Sequence, residues 1–115
     1  MIIKEVNITI NVSNMEKSIA FYKVIGFNED IRWGNYYAKL SLNSTIIGLH
    51  PARAESLIGN SGNISIGLYV QEINKAAELL KEATVNYQLR EEEGGQFIHF
   101  NDPDGTALYF INPKY

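Results

Sequence analysis

The chain opens with an alternation of apolar and polar residues, which predicts a β-strand with one face in the core. The apolar positions are Val6, Ile8, Ile10 and Val12. The period then becomes helical over residues 13–26, where Ser13 and Glu16 suit a capping box and Gly26 suits a left-handed helix end. Strand-like segments separated by short turns follow at residues 27–33, 36–42 and 45–50. The first half therefore predicts the element order βαβββ.

The same order of elements returns after a loop that contains Pro51, Gly59 and Gly62. The predicted elements are a strand at residues 63–70, a helix at 72–83 and strands at 86–92, 96–101 and 107–112. Aligning Asn7 with Ser65 matches strand with strand and helix with helix, which indicates a diverged tandem duplication.

This repeat predicts the fold class and the domain organisation. We expect an α+β fold in which tandem βαβββ modules form a curved, cup-shaped mixed sheet with helices on its outer face. The modules span about residues 1–50 and 63–115 of a single domain, 1–115.

Composition narrows the possible partners. The 115 residues are 45% hydrophobic, enough for one domain core, and the net charge of −3 comes with no basic stripe, so nucleic acid is not expected as a partner. No segment approaches the length of apolar sequence that spans a membrane, and the N-terminus does not resemble a signal peptide. We therefore expect no membrane association and a cytoplasmic location. The absence of cysteine excludes thiolate nucleophiles and thiolate metal sites.

Two motifs carry a resemblance to a known family: "NMEKSIAFYKVIGF" after the first strand and "FNDPDGTALYFI" near the end. With the repeated βαβββ order, they resemble the vicinal oxygen chelate superfamily, which comprises glyoxalases, bleomycin-resistance proteins, fosfomycin-modifying enzymes and extradiol dioxygenases. The resemblance covers nearly the whole chain and implies a homodimer. It does not imply one reaction, because this fold hosts many different sites.

In metal-dependent members of that superfamily, four strand positions supply His, Glu or sometimes Gln ligands. Motif matching places those positions on Asn7, Gly48, Ser65 and Tyr109. A catalytic metal usually takes at least three imidazole or carboxylate donors, and these four side chains provide none. We therefore expect no bound metal, no cofactor and no catalytic residue.

Strand parity and the family positions together predict the lining of the cup. The candidate ligand-binding residues are Asn7, Trp33, Tyr37, Gly48, His50, Ser65, Tyr69, Phe97, His99 and Tyr109. Aromatic surface with scattered neutral polar groups is typical of a small-molecule pocket. The favoured hypothesis is a metal-free binding protein of the bleomycin-resistance type that sequesters an aromatic or amphipathic small molecule.

Two other functions stay open. One is a glyoxalase-type lyase, isomerase or dioxygenase whose metal ligands have moved to His50, His99 and a carboxylate such as Glu5 or Glu93. The other is a metal-independent enzyme that uses His99 as a general base. The acidic turn at residues 102–105 is interpreted as structural, because Asp, Pro and Gly each favour tight turns.

Overall fold

The computed structural model of the protein describes residues 1–58 and 63–114. Contacts between residues divide the chain into two compact units, Met1–Gly59 and Asn60–Tyr115. Each unit has the element order βαβββ. The loop residues Gly59 and Gly62, which the sequence pattern singled out, lie outside the described residues.

Unit 1 is a mixed four-stranded sheet with one helix. Its elements are β1 (Ile8–Val12), α1 (Met15–Val24), β2 (Asn28–Trp33), β3 (Tyr37–Leu42), β4 (Thr45–Pro51) and a short 3-10 turn, Glu55–Leu57. The strand order is β1-β4-β3-β2, with β1 parallel to β4 and the other pairs antiparallel.

Unit 2 repeats this arrangement. Its elements are β5 (Ser65–Tyr69), α2 (Ile73–Glu82), β6 (Tyr87–Glu92), β7 (Gly95–Asn101) and β8 (Ala107–Pro113). The order β5-β8-β7-β6 places the parallel pair at the same edge as in unit 1. The predicted α+β class and tandem βαβββ modules are therefore confirmed. The single domain and the cup remain predictions.

Each unit has its core between the helix and one face of the sheet. In unit 1 the fully buried side chains include Leu40 and Leu49 from the sheet and Tyr22 from α1. In unit 2 they include Ile98 from β7 and Leu80 from α2. Side chains alternate across a strand, so the neighbours of these residues project from the opposite face, which we call the open face.

The first strand is shorter than its pattern predicts. The alternation runs from Val6, but β1 begins at Ile8, and Val6 and Ile8 are 75% and 45% exposed. The helix N-cap also differs, because the side chain of Asn14 rather than Ser13 accepts from the backbone N–H of Lys17, at 3.0 Å. Within the described residues, neither helix is long and apolar enough to cross a membrane.

Candidate functional site

The open face of unit 2 carries three rings in contact, Phe97, His99 and Tyr109, which we call the aromatic cluster. His99 and Tyr109 are paired across β7 and β8, and Phe97 lies two residues before His99 on the same face. The Phe97 and His99 rings are stacked, with centroids 5.7 Å apart and planes within 4°. Tyr109 is tilted by 44° to both rings, at centroid distances of 5.9 and 6.2 Å. All three side chains are half-buried.

A glycine on the neighbouring strand lets the Tyr109 ring lie against the sheet. Gly67 of β5 pairs with Tyr109 in the parallel register. A Cβ built on Gly67 would overlap the Tyr109 ring and its hydroxyl. Residue 67 therefore has to be glycine for the Tyr109 ring to stay where it lies. Tyr69, two residues further along β5, is 71% exposed.

One carboxylate contacts the aromatic cluster. The Nε2 atom of His99 lies 2.9 Å from Oε1 of Glu92, at the end of β6. Both side chains are about 40% exposed. Sequence reasoning missed Glu92. The hairpin register Glu92↔Gly95 could have placed it on the open face with Phe97 and His99, because residues two apart share a face.

The acidic turn before β8 positions Tyr109. Asp102 is 5% exposed, and its Oδ1 accepts from the backbone N–H groups of Asp104 (2.9 Å) and Thr106 (2.8 Å). The backbone N–H of Asp102 donates to the carbonyl of Thr106 at 2.9 Å. These bonds agree with the structural interpretation of the turn, since they bring the chain back into β8 with only five residues between the two strands.

Unit 1 has a related arrangement on its own open face. The ring of Tyr37, on β3, covers Gly48, on β4, so that a Cβ added at Gly48 would lie 3.0 Å from ring atoms of Tyr37. Trp33 packs against Tyr37 with centroids 5.6 Å apart and planes at 44°. The Tyr37 ring therefore occupies the surface over Gly48, with Trp33 packed against that ring.

A hydrogen-bonded set of charged and polar side chains lies on the same face. Lys39 pairs with Gly48 in the β3–β4 register, and its Nζ donates to Oε1 of Glu5. Oε2 of Glu5 accepts from Asn7 at 3.3 Å. The hydrogen bond from Lys39 lowers the pKa of Glu5 below its ordinary value, with a smaller contribution from Asn7. The hydrogen bond to Glu5 raises the pKa of Lys39.

The remaining predicted site residues are placed separately. Nδ1 of His50 lies 2.8 Å from the carbonyl oxygen of Pro51, next in the chain. Ser65 is exposed and pairs with Ala107 rather than with Tyr109. The structure thus brings together Phe97, His99 and Tyr109 in unit 2, and Trp33, Tyr37 and Gly48 in unit 1. That the two open faces line one cavity remains a prediction.

Comparison with known families assigns the chain. The model of the Glyoxalase/Bleomycin resistance protein/Dioxygenase superfamily matches residues 5–110. The chain belongs to this superfamily. No curated protein matches it.

Solved structures of the superfamily share the fold at low sequence identity. The fosfomycin resistance protein FosX from Listeria monocytogenes has a TM-score of 0.80 and 21% identity, covering 99% of this chain and 96% of that chain. TnmS3, an antibiotic binding protein from Streptomyces sp. CB03234, has a TM-score of 0.77 and 20% identity, covering 98% of both chains. Lactoylglutathione lyase from Agrobacterium tumefaciens has a TM-score of 0.72 and 13% identity, covering 96% of this chain and 92% of that chain. At these identities the likeness shows the fold alone.

The positions that resemble the superfamily's metal ligands have unsuitable donors here. In unit 1 they hold the Asn7 amide and Gly48, whose surface is covered by the Tyr37 ring. In unit 2 they hold the Ser65 hydroxyl and the Tyr109 phenol, which lies on Gly67. Within residues 1–58 and 63–114, no three His, Asp or Glu side chains group closely enough to hold a metal ion. These residues do not fit a divalent metal, because anionic or imidazole donors are needed to offset the cost of its desolvation.

Proposed function

We propose that this superfamily member is a metal-free binding protein that sequesters an aromatic or amphipathic small molecule on its open faces. The aromatic cluster of Phe97, His99 and Tyr109 is the observation that carries this proposal. Half-buried rings next to a few polar groups give a planar ligand contact area and an orientation, as in most small-molecule sites.

A second part of the proposed binding surface lies in unit 1, at Trp33, Tyr37 and Gly48. Tyr37 and Trp33 offer a second aromatic surface, and Lys39 beside them is neutralised by Glu5. A neutralised lysine does not favour an anionic ligand over a neutral one. Asn7, His50, Ser65 and Tyr69 remain proposed contacts by strand parity. A homodimer, on the family resemblance, and a cytoplasmic location are part of the same proposal.

Small-molecule binding has a precedent in the fold. TnmS3 is described as an antibiotic binding protein and FosX as a fosfomycin resistance protein. We propose ligand capture of the first kind, since the donor set here does not suit metal chemistry. The glyoxalase-type alternative requires relocated ligands, and elemental analysis of the purified protein with a methylglyoxal–glutathione assay separates the two functions. Stoichiometric metal with turnover would replace the binding proposal.

A titration with an aromatic probe tests the aromatic cluster. We expect 2-methoxynaphthalene to shift the ring resonances of Phe97 and Tyr109 in an NMR titration. Tyr109→Ala should weaken binding about tenfold, because a lost aromatic contact costs about 1 kcal/mol beyond the lost apolar area. The matched control is Tyr36→Ala, which removes a 79% exposed ring outside the proposed site and should leave the affinity unchanged. Equal affinities for the Tyr109 variant and the unmodified protein would refute the site.

A further inference from the structure

The contact between Glu92 and His99 determines which hydrogen-bonding group the aromatic cluster presents. Oε1 of Glu92 lies 2.9 Å from Nε2 of His99. An ionised carboxylate only accepts hydrogen bonds, so the proton in this contact belongs to Nε2. In a neutral imidazole the other nitrogen, Nδ1, then carries the lone pair and is an acceptor.

The surroundings of His99 leave this acceptor for a ligand. Within the described residues of its unit, Glu92 is the one hydrogen-bond partner of the ring. Phe97 is stacked on His99 with planes within 4°, which holds the plane of the imidazole, and a 180° flip within that plane would remove the Glu92 hydrogen bond. The carboxylate and the stacked ring together hold one tautomer in one orientation.

We infer that Glu92 is a positioning residue and that the ligand of this site is an aromatic molecule with a hydroxyl or N–H donor on its ring. The inference rests on the proposed function, because it names the ligand class of the same site. The rings of Phe97 and Tyr109 contact the ligand's aromatic surface, and Nδ1 of His99 accepts from its donor. An aromatic ether of the same shape has no proton for Nδ1 and leaves that atom without a partner.

A matched pair of probes tests the donor requirement. The probes are 2-naphthol and its methyl ether, 2-methoxynaphthalene, titrated by NMR at a pH where ¹⁵N shifts show the His99 ring to be neutral. We expect 2-naphthol to bind about fivefold more tightly, the ratio that a net hydrogen bond of ~1 kcal/mol gives. Equal affinity of both probes would overturn this inference and leave the proposed function standing. Binding of neither probe would remove the proposed function and this inference with it.

Variants of the pair assign the preference to Glu92 and His99. His99→Phe keeps a ring that can stack on Phe97 but has no ring nitrogen, so this variant should bind both probes equally. Glu92→Ala should lower the preference for 2-naphthol over the ether to about twofold or less, since the tautomer and orientation of His99 are no longer held. Glu91→Ala is the control, because it removes the same charge one residue away on the other face of β6, and should keep the full preference.

The tautomer itself is a second readout that a purely structural role of Glu92 would not affect. In the unmodified protein, ¹⁵N spectra of the His99 ring should show the proton on Nε2 and none on Nδ1. Glu92→Ala should increase the fraction protonated on Nδ1. A proton found on Nδ1 with Nε2 bare, or a naphthol preference that persists in His99→Phe, would contradict the inference.

Discussion

The contact between Gly67 and the Tyr109 ring makes a quantitative prediction for Gly67→Ala. The backbone at Gly67 does not have a positive φ, so alanine is not strained there and should stabilise the strand by about 0.5–1 kcal/mol. The new methyl group, however, overlaps the far end of the Tyr109 ring, which has to move. Moving the ring off its rotamer costs about 0.5–1.5 kcal/mol, and lost contacts with the Phe97 and His99 rings cost a similar amount.

Because these effects oppose each other, Gly67→Ala should change the unfolding free energy with opposite signs in the presence and in the absence of the Tyr109 ring. In the unmodified chain, Gly67→Ala should destabilise by about 1–2 kcal/mol, whereas in the Tyr109→Ala background it should stabilise by about 0.5–1 kcal/mol. The assay is a double-mutant cycle by urea unfolding, with binding of 2-methoxynaphthalene measured on the same proteins. We expect a coupling free energy of about 2 kcal/mol between the two positions. Additive effects would show that the ring does not lie on Gly67, and would refute the geometry proposed for the site.

Two further predictions concern the acidic turn and the ion pair of unit 1. Asp102→Ala should lower the unfolding free energy by about 2–4 kcal/mol in urea titrations, because two backbone N–H groups lose a charged acceptor, while Asp102→Asn, which keeps an acceptor, should cost about 1 kcal/mol. Equal losses would contradict this role of Oδ1. In ¹³C NMR titrations the carboxyl of Glu5 should have a pKa below its ordinary 4.5, and Lys39→Ala should raise it back. The stability from the Glu5 pKa shift is present above pH 4.5 and lost as the pH falls through the lowered value, and an unchanged pKa in the variant would refute the pairing.

The strand pattern predicted which face of each sheet is buried. In the middle strands the alternation places Leu40 and Ile98 on the face that the helix covers, and both are fully buried. The same parity put Tyr37, Phe97 and His99 on the open faces, where the ring contacts occur. A period of two fixes the face because the side-chain direction alternates with every residue.

The pattern could not predict how far a face is covered or which long side chains meet. The alternation marks Val6 and Ile8 as core positions, but a helix of ten residues does not cover the start of that strand. The contact of Glu92 with His99 depends on the hairpin register and on the rotamers of two long side chains. The register follows from the two-residue turn, but the rotamers have no signature in the order of residue types, so the contact itself required the structure.

The two units share one packing arrangement, and in each unit it includes a position that resembles a metal ligand of the superfamily. In each unit a tyrosine ring lies over a glycine of a neighbouring strand, Tyr37 over Gly48 and Tyr109 over Gly67. In unit 1 the glycine stands at the position that resembles a metal ligand, and in unit 2 the tyrosine does. A carboxylate placed at residue 48 would meet the Tyr37 ring, which would have to shift to admit it. In unit 1 a carboxylate donor at residue 48 and the Tyr37 ring in its present place thus compete for one volume, because the interior of a packed surface has no spare room for both.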